Sequence, residues 1–97
     1  MHVLFLTPAR RDLLRAVDYY RSEGAIEAAD AFLGEVDDAR TLLSEFPGLG
    51  APAPKGTRRI RLHSFPYSLT YRIDDDAIRV FAIQHHSMHP RSWEERL

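Results

Sequence analysis

The chain has 97 residues, 44% of them hydrophobic, which is enough to close one core without cross-links and too many for a disordered segment. It has no cysteine, which excludes a disulfide framework, a thiolate ligand and a thiolate nucleophile, and permits a reducing compartment. The net charge of −1 conceals an asymmetry: residues 1–54 carry a balance of −4 and residues 55–97 a balance of +3, so the second half either offers a basic surface to a nucleic acid or an acidic protein, or merges into a mixed solvated surface.

The first eight residues lack a basic segment, and their apolar run is too short for a signal peptide; no window approaches a membrane span, so a cytoplasmic protein without a membrane partner is expected. Val3-Leu4-Phe5-Leu6 reads as a strand joining a sheet edge. Thr7-Pro8 marks a helix start, because a threonine oxygen can accept from a free amide and proline suits the first helical position. The first helix should run from Pro8 to about Ser22, with Ala9, Leu13, Ala16, Val17 and Tyr20 as one apolar stripe, and Gly24 fits the left-handed position that ends it. The second should run from about Ile26 to Ser44, with Ala29, Phe32, Leu33, Val36, Ala39 and Leu43 as its stripe. So short a link implies an antiparallel hairpin. Gly34, inside that helix, costs up to about 1 kcal/mol relative to alanine, which close approach of the partner helix would explain. Pro47 stops the helix, and Gly48 to Gly56 reads as a loop.

Three runs of period-two alternation follow. Ile60 and Leu62 alternate with Arg59, Arg61 and His63; Tyr67, Leu69, Tyr71 and Ile73 alternate with Ser68, Thr70 and Arg72; the run from Ile78 to Ile83 is apolar on both faces and should be covered on both. Ser64-Phe65-Pro66 and Asp74-Asp75-Asp76 connect them as turns, the second a solvated one. The fold class is therefore α+β, in the order β-α-α-β-β-β. A helical hairpin packs on one face of an antiparallel sheet, and a short C-terminal helical turn follows Pro90, all in one domain of residues 1–97.

Phe65-Pro66-Tyr67-Ser68-Leu69-Thr70-Tyr71-Arg72-Ile73, then Ile78-Arg79-Val80-Phe81-Ala82-Ile83-Gln84-His85, then Pro90 and Trp93, resemble the ParE branch of the RelE/ParE toxin superfamily. Ala9, Asp12-Leu13, Tyr20, Ala28-Ala29, Phe32, Leu43, Pro47 and Gly50 agree with that resemblance. It implies the toxin half of a type II toxin–antitoxin pair of the plasmid-stabilisation kind, with a small antitoxin whose C-terminal part wraps the toxin. ParE-like members are associated with poisoning DNA gyrase. RelE-like members cut messenger RNA on the ribosome, using basic residues on the sheet and a C-terminal aromatic or histidine. This chain departs from the nuclease pattern, with one lysine, Lys55, in a loop and no tyrosine after Tyr71.

Cutting RNA without metal needs a base, an acid and cations for the phosphorane charge. By parity His85 shares a sheet face with Arg79, and across the meander Arg59, Arg61 and Arg72 share it too, which would furnish a base and charge stabilisers for a metal-independent endoribonuclease. The simpler reading makes His85 a strand-end capping residue and pairs the arginines with acids, including an antitoxin's. Action by binding is thus favoured over catalysis, with an inert protein-binding module as a further alternative. Phe81 and Ile83 should not both be exposed on an arginine-bearing face, so either Trp93 in the terminal segment folds over them or a partner does. The candidate surface for target or antitoxin is Arg59, Arg61, Arg72, Arg79, Phe81, Ile83, Trp93 and Arg96. An antitoxin could add a strand at a sheet edge or lay a helix in a groove beside the helical hairpin. His85, His86 and His89 do not have the spacing of a metal site, and no motif asks for a cofactor.

Overall fold

A computed structural model describes residues 1–88 and 93–97. The strands are β1 (His2–Phe5), β2 (Ala51–Ala53), β3 (Thr57–Arg61), β4 (Tyr67–Ile73) and β5 (Ala77–His85); the helices are α1 (Thr7–Ser22) and α2 (Ile26–Glu45), and a 3-10 turn covers Glu94–Arg96. The strands form one sheet in the order β1-β5-β4-β3-β2.

Both helices follow from their stripes. Ala9, Ala16 and Val17 of α1 and Ala29, Phe32, Val36, Ala39 and Leu43 of α2 are buried against Leu62, Leu69, Tyr71, Ile78, Val80 and Ile83 of the sheet side. Phe32 is fully enclosed: its ring meets Tyr20, Phe65 and Tyr67 at centroid separations of 5.9, 5.3 and 5.0 Å, so the Phe65-Pro66-Tyr67 turn is clamped onto the hairpin. Burying one such ring contributes roughly 2–3 kcal/mol. Gly24 adopts φ +73°, and the Ala25 amide donates to the Tyr20 carbonyl at 2.8 Å across it, the closed helix end that the sequence implies.

Four details differ from the sequence reading. The helix begins at Thr7 itself, with Leu6 as the extended capping residue, and the Thr7 hydroxyl accepts from Arg10 at 3.1 Å rather than from a free amide. The sheet is mixed: β1 runs parallel to β5, because the chain crosses from one to the other through whole elements rather than a tight turn. Ala51-Pro52-Ala53, expected as loop, pairs antiparallel with β3 as a short edge strand, a place where proline's missing N–H costs nothing. Nothing lies within 4 Å of a side-chain carbon built on Gly34, so close helix approach does not explain that glycine.

The chain's parity also slips once. Tyr71 pairs with Val80 but Thr70 pairs with Ala82, leaving Phe81 as the extra residue of a β-bulge. Beyond the bulge every β5 side chain changes face relative to simple alternation. Pro90, Arg91 and His89 lie outside the described residues. Among those described, no helix is long and apolar enough to cross a membrane.

Candidate functional site

Arg59 and Arg61 flank Ile60, which packs against the core, so both emerge on the sheet face away from the helices. They pair across the ladder with Thr70 and Ser68 of β4, which puts Arg72 on that same face, directly opposite Arg79 of β5. The four arginines expected to share a face do so. His85 does not join them. The bulge turns it to the helix side, where its ring meets Tyr67 edge-on at 5.1 Å and its Nδ1 accepts the Ser87 amide at 2.9 Å. It lines a small cavity of about 210 Å³ with Asp12, Arg15, Tyr19 and Met88. Ile83 likewise joins the main core instead of the arginine face. Metal ligation by adjacent His85 and His86 would need one face for both, and they take opposite ones.

His86 is the histidine that reaches the arginine face. Its Nε2 lies 2.9 Å from the Ser68 hydroxyl, and its amide donates to the Pro66 carbonyl at 2.8 Å. With Arg59, Arg61, Ser68 and the Ala51–Pro54 stretch it lines a cavity of about 590 Å³. Partial burial, then the Arg61 and Arg59 guanidiniums and neighbouring His85, push its imidazole below the ordinary value.

The remaining basic residues are compensated. Arg79 donates to Asp74 at 2.7 Å and Arg72 to the same carboxylate at 3.2 Å; Asp76 stands 3.5 Å from Arg79. Asp74 therefore anchors two strands rather than merely capping a solvated turn, and the hydrogen bond from Arg79 first, with Arg72, holds its carboxyl below the usual range. The Arg72 guanidinium also sits 5.1 Å above the Phe81 ring. Phe81, Ile83 and Trp93 are all buried within the chain.

Arg96 explains the terminal turn. β1 covers the outer edge of β5 only as far as Val80, leaving the next backbone groups bare. Asp12 accepts the Ile83 amide at 3.0 Å, and Arg96 donates to the Phe81 carbonyl at 3.1 Å while gripping Asp12 at 2.6 and 3.1 Å. A carboxylate–guanidinium pair thus caps the sheet edge. Sequence reading missed Asp12 in this role. Its position, three residues after Ala9 and four before Ala16, places a charge on the buried stripe, which was the available signal.

A second groove, about 380 Å³, runs between α1, α2 and β1, floored by Phe5, Leu13, Leu33 and Val36 and edged by Arg10, Asp37 and Arg40.

A family model described as ParE toxin of type II toxin–antitoxin system, parDE, matches residues 3–90. The chain belongs to the ParE toxin family. Toxin ParE2 of Mycobacterium tuberculosis, from strains CDC 1551 / Oshkosh and ATCC 25618 / H37Rv, is 32% identical over 87 residues, spanning 89% of this chain and 82% of the relative. A solved structure described as the chromosomal ParDE TA system from P. aeruginosa superposes with a TM-score of 0.77, at 23% identity, over 88% of this chain and 95% of that one. The ParE-type architecture here is two helices on a five-stranded mixed sheet, with the arginines on the uncovered side. As a ParE toxin the chain is one component of a toxin–antitoxin system.

Proposed function

We propose that this ParE toxin is a single cytoplasmic domain, residues 1–97, that is neutralised by an antitoxin segment and acts by binding a macromolecular target, DNA gyrase. The observation that carries the first part is the groove between α1, α2 and β1. Its floor is aliphatic and aromatic and its rim bears Arg10 and Arg40, the latter shared with Asp37. That pattern suits an amphipathic helix with acidic flanks, read through i, i+3, i+4 anchors. Strand addition at β5 has less support, because Asp12 and Arg96 already occupy that edge.

The gyrase target follows the ParE resemblance, and the far-face arginines are the surface available to it. Messenger cleavage would need His86 as its base in place of His85, because His85 and the Arg59–Arg61 pair sit on opposite faces. Inducible expression alone and with the neighbouring antitoxin frame tests the reading. Growth should stop in the first case and resume in the second, and Leu33→Asp in the groove should leave a toxin that the antitoxin no longer rescues. Absence of a growth defect, or full rescue of Leu33→Asp, contradicts it.

A further inference from the structure

The cavity beside Ser68 is not used by the antitoxin groove, and its chemistry is that of an anion site. Arg58 donates to the Gly50 and Gly48 carbonyls at 2.9 and 3.3 Å, Arg72 and Arg79 share Asp74, and Arg96 holds Asp12. Among the described residues, Arg59 and Arg61 alone of the sheet's arginines make no hydrogen bond or ion pair. They sit two positions apart on one strand, so their backbones are roughly 7 Å apart and their charges add rather than cancel.

Among the described residues, no carboxylate lines the cavity they edge. Across from them, the Ser68 hydroxyl and His86 imidazole form a hydrogen-bonded pair at 2.9 Å, with Ser68 only 1% exposed. The remaining wall is Ala51, Pro52, Ala53 and Pro54, apolar and stiffened by two prolines. One side therefore concentrates cationic and polar groups, while the other is apolar. The volume of about 590 Å³ lies within the range of small-ligand sites.

We propose that this cavity binds the phosphate group of a nucleoside phosphate, with Arg59 and Arg61 on the phosphate oxygens, His86, oriented by the buried Ser68 hydroxyl, as a further hydrogen-bonding group, and the sugar and base against Pro52 and Pro54. Planar guanidinium forks match phosphate oxygens in pairs, which a lysine cannot do. The nucleoside phosphate is either a free nucleotide or part of a nucleic-acid strand. Occupancy also relieves a local conflict, since a bound dianion offsets the two cations that, after burial, depress His86.

The test is titration of the purified full chain with inorganic phosphate, adenosine monophosphate and a short single-stranded oligonucleotide, read from the His86 ring signals by nuclear magnetic resonance. Adenosine monophosphate should shift those signals saturably and raise the pH at which His86 titrates. Arg59→Gln and Arg61→Gln should each weaken binding about tenfold, the loss expected for one charge-assisted contact. Arg21→Gln, the same charge change at the exposed end of α1, should leave binding intact, and thermal unfolding of each variant checks that it is folded. Tighter binding of the oligonucleotide than of the mononucleotide supports a strand as the source; equal or weaker binding supports a free nucleotide. No saturable shift with any probe at about 10 mM, binding of inorganic phosphate alone, or equal losses in Arg21→Gln overturns the proposal.

Discussion

Replacing Asp12 by alanine should unfold the sheet edge. Asp12 is only 7% exposed, and its carboxylate serves two buried demands at once: the Ile83 amide at 3.0 Å and the Arg96 guanidinium at 2.6 and 3.1 Å. Losing the first leaves a buried amide without a partner, a cost of about 1–3 kcal/mol. Losing the second strands a guanidinium, and breaking a buried pair costs about 3–5 kcal/mol. The Arg96 side chain keeps 23% of its surface in water, so solvent recovers part of that. A net loss of about 3–4 kcal/mol is expected, which for a domain of this size lowers Tm by about 12 °C or more. Arg96→Ala should cost a similar amount, about 3 kcal/mol, because it leaves the more deeply buried Asp12 carboxylate without its counter-ion and the Phe81 carbonyl without its donor. Asp12→Asn, which keeps an acceptor for the Ile83 amide and leaves no buried carboxylate, should cost less than either. Urea and thermal unfolding of both single variants and the double variant measure each loss and the coupling, expected to be at least about 1 kcal/mol. A loss below about 1 kcal/mol for Asp12→Ala, or zero coupling, refutes the edge-capping argument.

Gly50 is the next rigid point: a side-chain carbon there would lie 2.7 Å from the Tyr71 hydroxyl and 3.0 Å from the Arg59 carbonyl. Gly50→Ala should therefore cost about 2 kcal/mol or more by chemical denaturation, and Tyr71→Phe about 1–3 kcal/mol, since that hydroxyl accepts the Gly50 amide and donates to the Pro47 carbonyl. Gly34→Ala, with open space around it, should stabilise the free toxin by about 0.5–1 kcal/mol; destabilisation would mean that something does pack there. His86 is depressed from 6.5, and Asp74 and Glu35 from 3.8 and 4.5. For Glu35 partial burial opposes the shift, but the Ser64 amide and hydroxyl and nearby His63 outweigh it. All three bind protons less readily folded than unfolded, so their contributions hold above those ordinary values and fade as pH falls through the depressed ones. Stability should begin to decline just below pH 6.5, where His86 protonates in the unfolded chain, and decline further in the carboxylate range. His86→Gln should flatten the first part, and an unchanged slope in that variant would contradict the assignment.

Much of this architecture was legible because both periodicities are strong. Apolar residues at spacings of three and four mark the two helix faces, and alternation around Ile60 and Leu69 by itself puts Arg59, Arg61 and Arg72 on one face. What escaped was whatever depends on a single inserted residue or on distant segments. Phe81 has no local mark of a bulge, yet that one residue exchanges His85 for His86 on the arginine face. Ala51-Pro52-Ala53 has the composition of a loop and becomes a strand only because β3 offers it an edge. The α1–α2 groove is built by three elements far apart in sequence, so no motif encodes it. Arg96, which the sequence offers as a partner-binding residue, reaches instead to Asp12, 84 positions away.

Supercoiling of relaxed plasmid by DNA gyrase, with the purified chain added at rising concentration, puts the proposed mode of action to its plainest trial. Supercoiling should stall or cleaved DNA accumulate, and prior addition of the antitoxin should restore turnover. Undisturbed supercoiling together with ribosome-dependent cuts in messenger RNA would show that the chain acts by catalysis on a different target.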